Sequence, residues 1–195
     1  MPVGERSLTE ASDGHTLVLT IDRTIQFHVE EKLRESVEKH SAESGSVIVM
    51  DPKTGEIIAL ANYPDFNPNA YGDTEDVSNF NNRAIFDLYE PGSTFKVIQV
   101  AAGIESGKIS PGTTFNDSGS LTIGAYTIYN YENKAYGEMT VQEAIEKSDN
   151  IVLAQIAQTM GADLISSYLD KFGFRELTGI DLSKESENYI KPPDE

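Results

Sequence analysis

The chain has 195 residues, of which 38% are apolar, and its 32 acidic and 15 basic side chains give a net charge of −17. This length and composition are typical of a folded domain and exclude collagen-like and low-complexity sequences. Because so negative a chain repels phosphate groups, we expect it to bind neither nucleic acid nor an anionic membrane surface.

The chain has no cysteine, which excludes disulfide scaffolds, thiolate metal sites and cysteine nucleophiles. Its three histidines, His15, His28 and His40, do not have the spacing of a metal-binding motif, so we expect no metal and no cofactor. The sequence as given contains no signal-peptide h-region and no run of about 18 apolar residues.

The first third of the chain predicts a lead-in, a strand and a helix. Residues 1–14 are polar and aperiodic, and we interpret them as the remnant of an upstream region. Leu17-Val18-Leu19 predicts a short strand. Asp22 is placed to cap a helix that runs to about Lys39. The apolar face of that helix repeats every four positions, at Ile25, Val29, Leu33 and Val37.

Two apolar runs, 46–50 and 57–60, are separated by a segment with proline and glycine turn residues and predict a β-hairpin. Since both runs are nearly continuous in apolar residues, we expect the strands to be buried on both faces beneath helices. The segment 62–80, rich in Asn, Asp and Pro, predicts a surface loop.

The second half of the chain predicts helices around a set of small strands. Apolar residues at helical spacing indicate a helix that ends at Gly107, and 111–137 indicates small strands outside the core. Thr140 and Glu143 have capping-box spacing and begin another helix. Two further helices are predicted at 151–160 and 163–171.

Ser93 and Lys96 are candidates for nucleophilic chemistry, since a chain without cysteine must activate a hydroxyl with a base. If Ser93 opens a helix, residues i and i+3 lie one turn apart and the Lys96 amine can reach the Ser93 hydroxyl. Burial would make Lys96 a better base, and the helix N-terminus would favour an oxyanion. Gly92 would leave room for a substrate.

A Ser-x-x-Lys motif is weak by itself, because Ser36 and Lys39 have the same spacing within the predicted amphipathic helix. There we expect both side chains to be solvent-exposed. The structural alternative for the first motif is that Ser93 is an ordinary helix N-cap and Lys96 an exposed lysine. The surroundings of the motif must therefore decide between the two interpretations.

Ser148 and Asn150 form a second candidate pair, on the predicted connection between two helices. A hydroxyl and a carboxamide two residues apart can face one cleft, where the hydroxyl relays a proton and the amide binds substrate. The alternative is that Ser148 or Asp149 only caps the next helix. This pattern is also weak alone, because Ser186 and Asn188 repeat it.

The order and surroundings of these motifs resemble the class B penicillin-binding proteins, the D,D-transpeptidases that cross-link peptidoglycan. The segment 82–96, Asn-Arg-Ala-Ile-Phe-Asp-Leu-Tyr-Glu-Pro-Gly-Ser-Thr-Phe-Lys, is similar to the active-serine segment of that family. Other similar segments are Leu19-Thr20-Ile21-Asp22, Asp51-Pro52-Lys53-Thr54-Gly55-Glu56-Ile57-Ile58-Ala59, Pro64-Asp65-Phe66-Asn67-Pro68-Asn69, Phe172-Gly173-Phe174 and Thr178-Gly179-Ile180-Asp181-Leu182.

The resemblance implies an α+β fold, an α/β sandwich of the β-lactamase/transpeptidase type with helices packed on an antiparallel sheet. It implies that the nucleophile attacks D-Ala-D-Ala stem peptides, and that β-lactams are trapped at the same serine. The implied site residues are Ser93 as nucleophile, Lys96 as base, Ser148 as catalytic partner, and Asn150 and Gly92 in substrate binding. Asp149 occupies a variable position and receives no catalytic role.

The family's third motif, Lys-Ser/Thr-Gly after the other two, does not occur in the 195 residues. Lys53-Thr54-Gly55 precedes Ser93, and Lys171-Phe172-Gly173 lacks the required hydroxyl, so neither replaces it. We therefore expect 15–195 to be a truncated transpeptidase domain that is inactive on its own. Its parent protein would be membrane-anchored, within a cell-wall synthesis complex at the extracytoplasmic face.

Two alternatives stay open from the sequence. The chain could derive from a serine β-lactamase or a β-lactam sensor, which use related serine chemistry on a similar scaffold. It could also be a non-catalytic module that kept the scaffold and lost the chemistry.

Overall fold

The computed structural model describes residues 12–182, 185–187 and 190, and the chain divides into two compact units, Met1–Ala84 and Ile85–Glu195. Most of the predicted lead-in lies outside the described residues, so the division into 1–14 and 15–195 stays a prediction. The first unit contains α1 (Arg23–His40), β1 (Gly45–Met50), β2 (Ile57–Tyr63) and two short 3₁₀ helices (Pro68–Asp73 and Val77–Phe80). A one-turn helix, α2, spans Arg83–Phe86.

The second unit contains a larger number of shorter elements. Its helices are α3 (Lys96–Glu105), α4 (Val141–Lys147), α5 (Asn150–Met160) and α6 (Ala162–Lys171), with 3₁₀ turns at Gly92–Phe95 and Tyr131–Asn133. Its strands are β3 (Thr114–Asp117), β4 (Ser120–Ile123), β5 (Tyr126–Tyr129) and β6 (Gly137–Thr140).

Helix α1 begins and packs as the sequence predicts. The Asp22 carboxylate accepts hydrogen bonds from the backbone N–H groups of Thr24 and Ile25, at 2.8 and 2.9 Å, and so satisfies two of the unpaired donors of the first turn. Leu33 and Val37 are buried against Ala61 of β2. The apolar stripe of α1 therefore covers the β1–β2 hairpin.

The hairpin itself is confirmed, but its predicted burial is wrong for β1. The two strands pair antiparallel, with Val47 opposite Ala61. Burial alternates along β1, and Ile48 and Met50 are 49% and 52% exposed. The reason is that α1 packs on one face of the hairpin, so the side chains of β1 that point away from α1 are left open.

The strand predicted at residues 17–19 is absent from the structure. Leu17, Val18 and Leu19 are extended but unpaired, with exposures of 82%, 91% and 72%. A strand needs a neighbour to satisfy its backbone groups, and apolar composition alone does not supply one. Contact with β2 begins only at Thr20 and Asp22, which hydrogen-bond the carbonyl oxygens of Ile57 and Ile58.

The loop predicted at 62–80 is largely irregular, although it contains two 3₁₀ turns, each capped by an acceptor side chain. Asn67 accepts from the N–H of Asn69, and Asp76 accepts from the N–H of Ser78. These short side chains stabilise local turns, which is why a composition typical of loops also produced helical turns.

The small strands predicted within 111–137 are present as β3, β4 and β5, and β6 begins at Gly137, where the predicted region ended. They form two antiparallel pairs, β3 with β6 and β4 with β5. The prediction that they lie outside the core is wrong for the first pair, because Met139 of β6 is a core residue and Phe115 of β3 packs against the core. The predicted capping box is confirmed: Glu143 N–H donates to Thr140 Oγ1, and Thr140 N–H donates to the Glu143 carboxylate.

The core of the second unit comprises Val100, Ala102, Ile109, Met139, Val141, Ala144, Val152, Leu153, Ile156 and Met160. Among the described residues, no helix has both the length and the apolar character needed to cross a bilayer.

Truncating Ile156 tests how far the second unit depends on α5. The side chain of Ile156 has no solvent exposure. We expect Ile156→Ala to lower the free energy of unfolding by about 2–5 kcal/mol, through lost apolar burial and an unfilled cavity. Val97→Ala, at an exposed position of α3, should change it by less than about 0.5 kcal/mol. Urea denaturation of both variants measures the difference, and equal effects would contradict the assigned core.

Candidate active site

Ser93 lies in the 3₁₀ turn that leads directly into α3. Gly92, immediately before it, has a φ of +59°, a conformation that costs little only for glycine. A Cβ at Gly92 would meet no atom within 4 Å, so backbone conformation rather than space within this chain accounts for the glycine. The Thr94 hydroxyl donates to the Pro91 carbonyl oxygen at 2.6 Å, and Phe95 packs edge-on against Phe174. These contacts fix the turn and leave Ser93 exposed.

Lys96 is the first residue of α3 and is half-buried. Helix α3 is tied to α5 by the Gln99 side chain, whose Nε2 donates to the Leu153 carbonyl oxygen at 2.6 Å. Val100 and Ala102 of α3 lie in the same core as Val152 and Ile156 of α5. This packing directs the Lys96 amine towards the start of α5.

Ser148 is the residue at which α4 ends, in a left-handed conformation with a φ of 55°. The N–H of Asp149 returns to the Ala144 carbonyl oxygen at 2.8 Å, as in a Schellman-type helix end. Glycine is the usual residue there, and a side chain costs about 1 kcal/mol or more in this conformation. Such strain is found where the surrounding structure requires it, and functional sites are common examples.

The Lys96 amine contacts three oxygen atoms of the Ser148–Asn150 segment. Lys96 Nζ lies 2.7 Å from the Ser148 carbonyl oxygen, 3.1 Å from Ser148 Oγ and 2.5 Å from Asn150 Oδ1. The Asn150 amide is oriented by its Nδ2, which donates to the Tyr129 carbonyl oxygen at 2.9 Å. The two motifs that the sequence singled out therefore meet at one amine.

The chemistry of these three oxygens limits what the amine can do. A carbonyl oxygen only accepts, so two of the Lys96 hydrogens point to Ser148 O and Asn150 Oδ1. Ser148 Oγ is different, because a hydroxyl both donates and accepts. A neutral Lys96 amine has two hydrogens and one lone pair, and it matches this arrangement if the Ser148 hydroxyl donates to the lone pair.

Burial lowers the pKa of the Lys96 amine from the ordinary lysine value, while the negative charge of Asp149 acts in the opposite direction. The lowered pKa brings the neutral form of the amine closer to physiological pH. A base built into the first turn of a helix beside an exposed serine is an arrangement suited to nucleophilic catalysis.

The structure brings together three of the residues that the sequence singled out: Lys96, Ser148 and Asn150. Ser93 lies three residues before Lys96, but within the described part of the chain its hydroxyl makes no hydrogen bond. The expected Ser93–Lys96 hydrogen bond is therefore not formed here, because the amine is engaged by Ser148 and Asn150 instead.

The structural alternatives separate residue by residue. Ser93 does not cap α3, since that helix has no side-chain cap, whereas Asp149 does cap α5 by accepting from the Val152 N–H at 2.7 Å. In the competing Ser-x-x-Lys motif, Ser36 and Lys39 are both exposed on α1, as expected. Of the competing Ser-x-Asn pattern, Asn188 lies outside the described residues.

Sequence reasoning missed a buried cluster behind Ser148 and Asn150. It consists of Asp117, Asn130 and Asp149, which are 2%, 7% and 1% exposed. Asp117 and Asn130 come from the small strands and their connections, and no spacing relates them to the Ser148 motif. Only the folded chain places these three side chains together.

Comparison with known proteins gives one consistent family. The sequence model for the penicillin binding protein transpeptidase domain matches residues 45–195. The chain is 31% identical over its full length to the penicillin-binding protein PbpB of Mycolicibacterium smegmatis. It is 33% identical, over 92% of its length, to the peptidoglycan D,D-transpeptidase FtsI of Escherichia coli. In both cases it spans 30% of the length of the relative.

Solved structures agree with the sequence comparison. A putative peptidoglycan glycosyltransferase from Atopobium parvulum superposes with a TM-score of 0.85 at 33% identity, over 95% of this chain and 43% of that one. The D,D-transpeptidase domain of a peptidoglycan glycosyltransferase from Eggerthella lenta gives 0.70 at 31% identity, over 84% and 41%. These matches confirm the predicted α+β transpeptidase fold. The chain belongs to the penicillin-binding protein transpeptidase domain family.

Proposed function

We propose that the protein carrying this chain is a peptidoglycan D,D-transpeptidase that works through a serine acyl-enzyme. The observation that supports the proposal is the contact of one half-buried lysine amine with both Ser148 and Asn150, one turn after the exposed Ser93. Since the chain spans about a third of the length of its relatives, the activity is assigned to the whole protein.

In the proposed acylation step, the Ser93 hydroxyl attacks the carbonyl carbon of the penultimate D-Ala of a stem peptide. The neutral Lys96 amine turns its lone pair from the Ser148 hydroxyl to Ser93 and takes the Ser93 proton as the C–O bond forms. Collapse of the tetrahedral intermediate breaks the D-Ala–D-Ala amide bond. The leaving amine receives a proton from Ser148, which is replenished from Lys96, and free D-Ala departs.

In the second step, the amine of a neighbouring stem peptide attacks the Ser93 ester. The attacking nitrogen loses one proton and Ser93 regains one, so the net reaction exchanges one amide for another and releases D-Ala. Asn150 holds the Lys96 amine in place and is positioned to contact the substrate, and Gly92 keeps the approach to Ser93 free of a side chain. A β-lactam would acylate Ser93 by the same route.

The substrate test uses purified gene product that carries these 195 residues, a stem pentapeptide ending in D-Ala-D-Ala, and an acceptor amine. We expect release of one D-Ala for each cross-linked product. A pentapeptide ending in L-Ala-L-Ala is the matched control and should release no alanine. Rapid hydrolysis of penicillin with no cross-linked peptide would instead identify a β-lactamase and contradict the proposal.

Two substitutions of Ser148 distinguish the effect of its hydroxyl on acylation from the effect of its left-handed backbone conformation on stability. Both Ser148→Ala and Ser148→Gly should slow acylation by penicillin about 10²- to 10⁴-fold, because the proton relay is lost. The glycine variant should be the more stable of the two by about 1 kcal/mol, because glycine adopts the left-handed conformation without penalty. Stopped-flow acylation and thermal unfolding measure the two effects. If Ser148→Gly were acylated at the wild-type rate, the proposed role of Ser148 in proton transfer would be contradicted.

We also propose that the site works at the extracytoplasmic face of a bacterial membrane, as part of an anchored cell-wall synthesis complex. Peptidoglycan stem peptides are available there, and the name of the Escherichia coli relative describes a peptidoglycan enzyme. Cell fractionation followed by penicillin labelling tests the location. Label in the membrane fraction supports it, and label confined to the cytosol contradicts it.

A further inference from the structure

The buried cluster of Asp117, Asn130 and Asp149 includes the middle residue of the Ser148–Asn150 segment, and Asn130 contacts that segment at Asp149 and Asn150. Its three residues come from the end of β3, the turn after β5 and the cap of α5. Buried polar side chains are costly unless each is hydrogen-bonded, so a cluster of this kind is kept only where its bonds are satisfied.

Asn130 occupies the centre of the cluster. Its Nδ2 donates to Asp117 Oδ2 and to Asp149 Oδ2, both at 2.9 Å, and also lies 3.1 Å from the Lys134 carbonyl oxygen. Its Oδ1 accepts from the backbone N–H of Asn150 at 2.7 Å. Every polar atom of this side chain is thus used, and the amide has a single possible orientation.

The hydrogen bond from the Asn150 N–H to Asn130 Oδ1 connects the buried cluster to the candidate active site. Asn150 is the first residue of α5, where backbone N–H groups have no acceptor within the helix. The Asn130 side chain supplies that acceptor, and the Asn150 side chain in turn contacts Lys96 Nζ at 2.5 Å. Asn150 Nδ2 also donates to the Tyr129 carbonyl oxygen. Two consecutive residues therefore hold Asn150: Tyr129 holds its side chain and Asn130 holds its backbone N–H.

Asn130 also donates hydrogen bonds to two neighbouring buried carboxyl groups, those of Asp117 and Asp149. Burial raises the pKa of the Asp149 carboxyl, and the charge of Asp117 acts in the same direction. Asp117 is held in place by the N–H groups of Gly119 and Tyr136, and Asp149 by that of Val152. A carboxamide that donates to both acids allows them to lie side by side, with Asp149 immediately before Asn150.

We propose that Asn130 is a positioning residue, which holds Asn150 and Ser148 against Lys96 by bridging Asp117 and Asp149 and bonding the Asn150 backbone. The inference rests on the proposed function, because its effect is on acylation of Ser93. Asn130 is buried behind the segment and would act through it, without touching the substrate.

The test compares Asn130→Ala with Asn116→Ala in the gene product that carries this chain. Asn116 is a matched control because it is an exposed asparagine next to Asp117 on β3. Pre-steady-state labelling with fluorescent penicillin gives both a rate and an amplitude per mole of protein. Displacing a catalytic group by about 1 Å costs up to about 10²-fold in rate, so we expect Asn130→Ala to acylate about 10- to 100-fold more slowly with full amplitude. Asn116→Ala should match the wild type in both.

A role in folding alone predicts the opposite pattern: the amplitude would fall as protein unfolds, and the remaining molecules would react at the wild-type rate. That result would overturn the proposal. If Asn130→Ala does not fold, Asn130→Ser replaces it, since a shorter hydroxyl can donate to one acid but cannot span to the Asn150 N–H. The same rate loss is expected, and an unchanged rate would overturn the proposal.

Residue-resolved hydrogen exchange makes the test independent of the proposed activity. The Asn150 amide should be protected in the wild type and lose protection in the Asn130 variants, while the Ile156 amide, inside α5, stays protected. If the wild-type protein does not bind penicillin at all, the proposed function is wrong. The positioning role of Asn130 is then tested by hydrogen exchange of the Asn150 amide alone. Unchanged protection of the Asn150 amide in the variants would then refute it.

Discussion

Replacing Ser93 with alanine is expected to abolish covalent labelling of the gene product by fluorescent penicillin, with a loss of at least about 10³-fold in acylation rate. The physical reason is that the acyl-enzyme is an ester of the Ser93 oxygen, and the alanine variant has no oxygen at that position to acylate. Ser93 is exposed, and its hydroxyl makes no hydrogen bond within the described residues. The substitution should therefore leave the unfolding temperature unchanged.

The matched control is Ser36→Ala, which removes the serine of the other Ser-x-x-Lys motif. Ser36 and Lys39 are exposed on α1, so this variant should be labelled at the wild-type rate. Gel fluorescence after a short exposure to the probe measures both proteins. Equal labelling of Ser93→Ala and the wild type would exclude Ser93 as the nucleophile.

Replacing Lys96 is expected to be nearly as damaging. Lys96→Ala and Lys96→Arg should each lower the acylation rate about 10²- to 10⁴-fold. The arginine variant is the informative one, because guanidinium keeps the positive charge and can still donate to Ser148 and Asn150 but does not lose a proton near neutral pH. If Lys96 served only as a fixed cation, Lys96→Arg would retain much of the rate, and that result would contradict its assignment as the base.

The pH dependence of acylation provides a second measurement on Lys96. Burial lowers its pKa, so the neutral amine appears at a lower pH than for an exposed lysine. The acylation rate should rise with pH through this lowered pKa and then level off. Lys39→Ala should have the wild-type profile, whereas Lys96→Arg should be slow and flat. A wild-type rate that falls as pH rises through this range would require the protonated amine instead.

Local signals in the sequence predicted the elements that position the site. Asp22 and the Thr140–Glu143 pair are helix caps whose geometry depends on neighbouring residues only, and both were found as expected. The hairpin and the helix after Ser93 were also predicted, because turn residues and apolar periodicity act over a few positions. The resemblance of 82–96 to an active-serine segment then indicated the family correctly.

What could not be predicted depends on partners distant in sequence. Leu17–Leu19 has the composition of a strand, but pairing requires another strand, and the described chain offers none to it. The exposed face of β1 depends in the same way on what lies over it. Burial is a property of the packed structure, so continuous apolar sequence overestimated it at Ile48 and Met50.

The candidate active site likewise contains residues that short sequence motifs identified and one residue that only the folded structure identified. Ser93, Lys96, Ser148 and Asn150 belong to short motifs, and these motifs indicated nucleophilic chemistry once their order and surroundings were considered together. Asn130 is 20 residues from Asn150 in sequence and belongs to no motif, yet its side chain holds the Asn150 backbone. Residues that act by orienting others need only the right geometry, and this geometry exists only after folding.

The most direct test of the central claim is to locate the penicilloyl group by tandem mass spectrometry after brief exposure of the wild-type gene product to benzylpenicillin. We predict a single adduct, an ester on the side-chain oxygen of Ser93. An adduct on any other residue, or an intact protein that gains no mass while the penicillin stays unhydrolysed, would contradict the assignment of this chain's serine as the nucleophile.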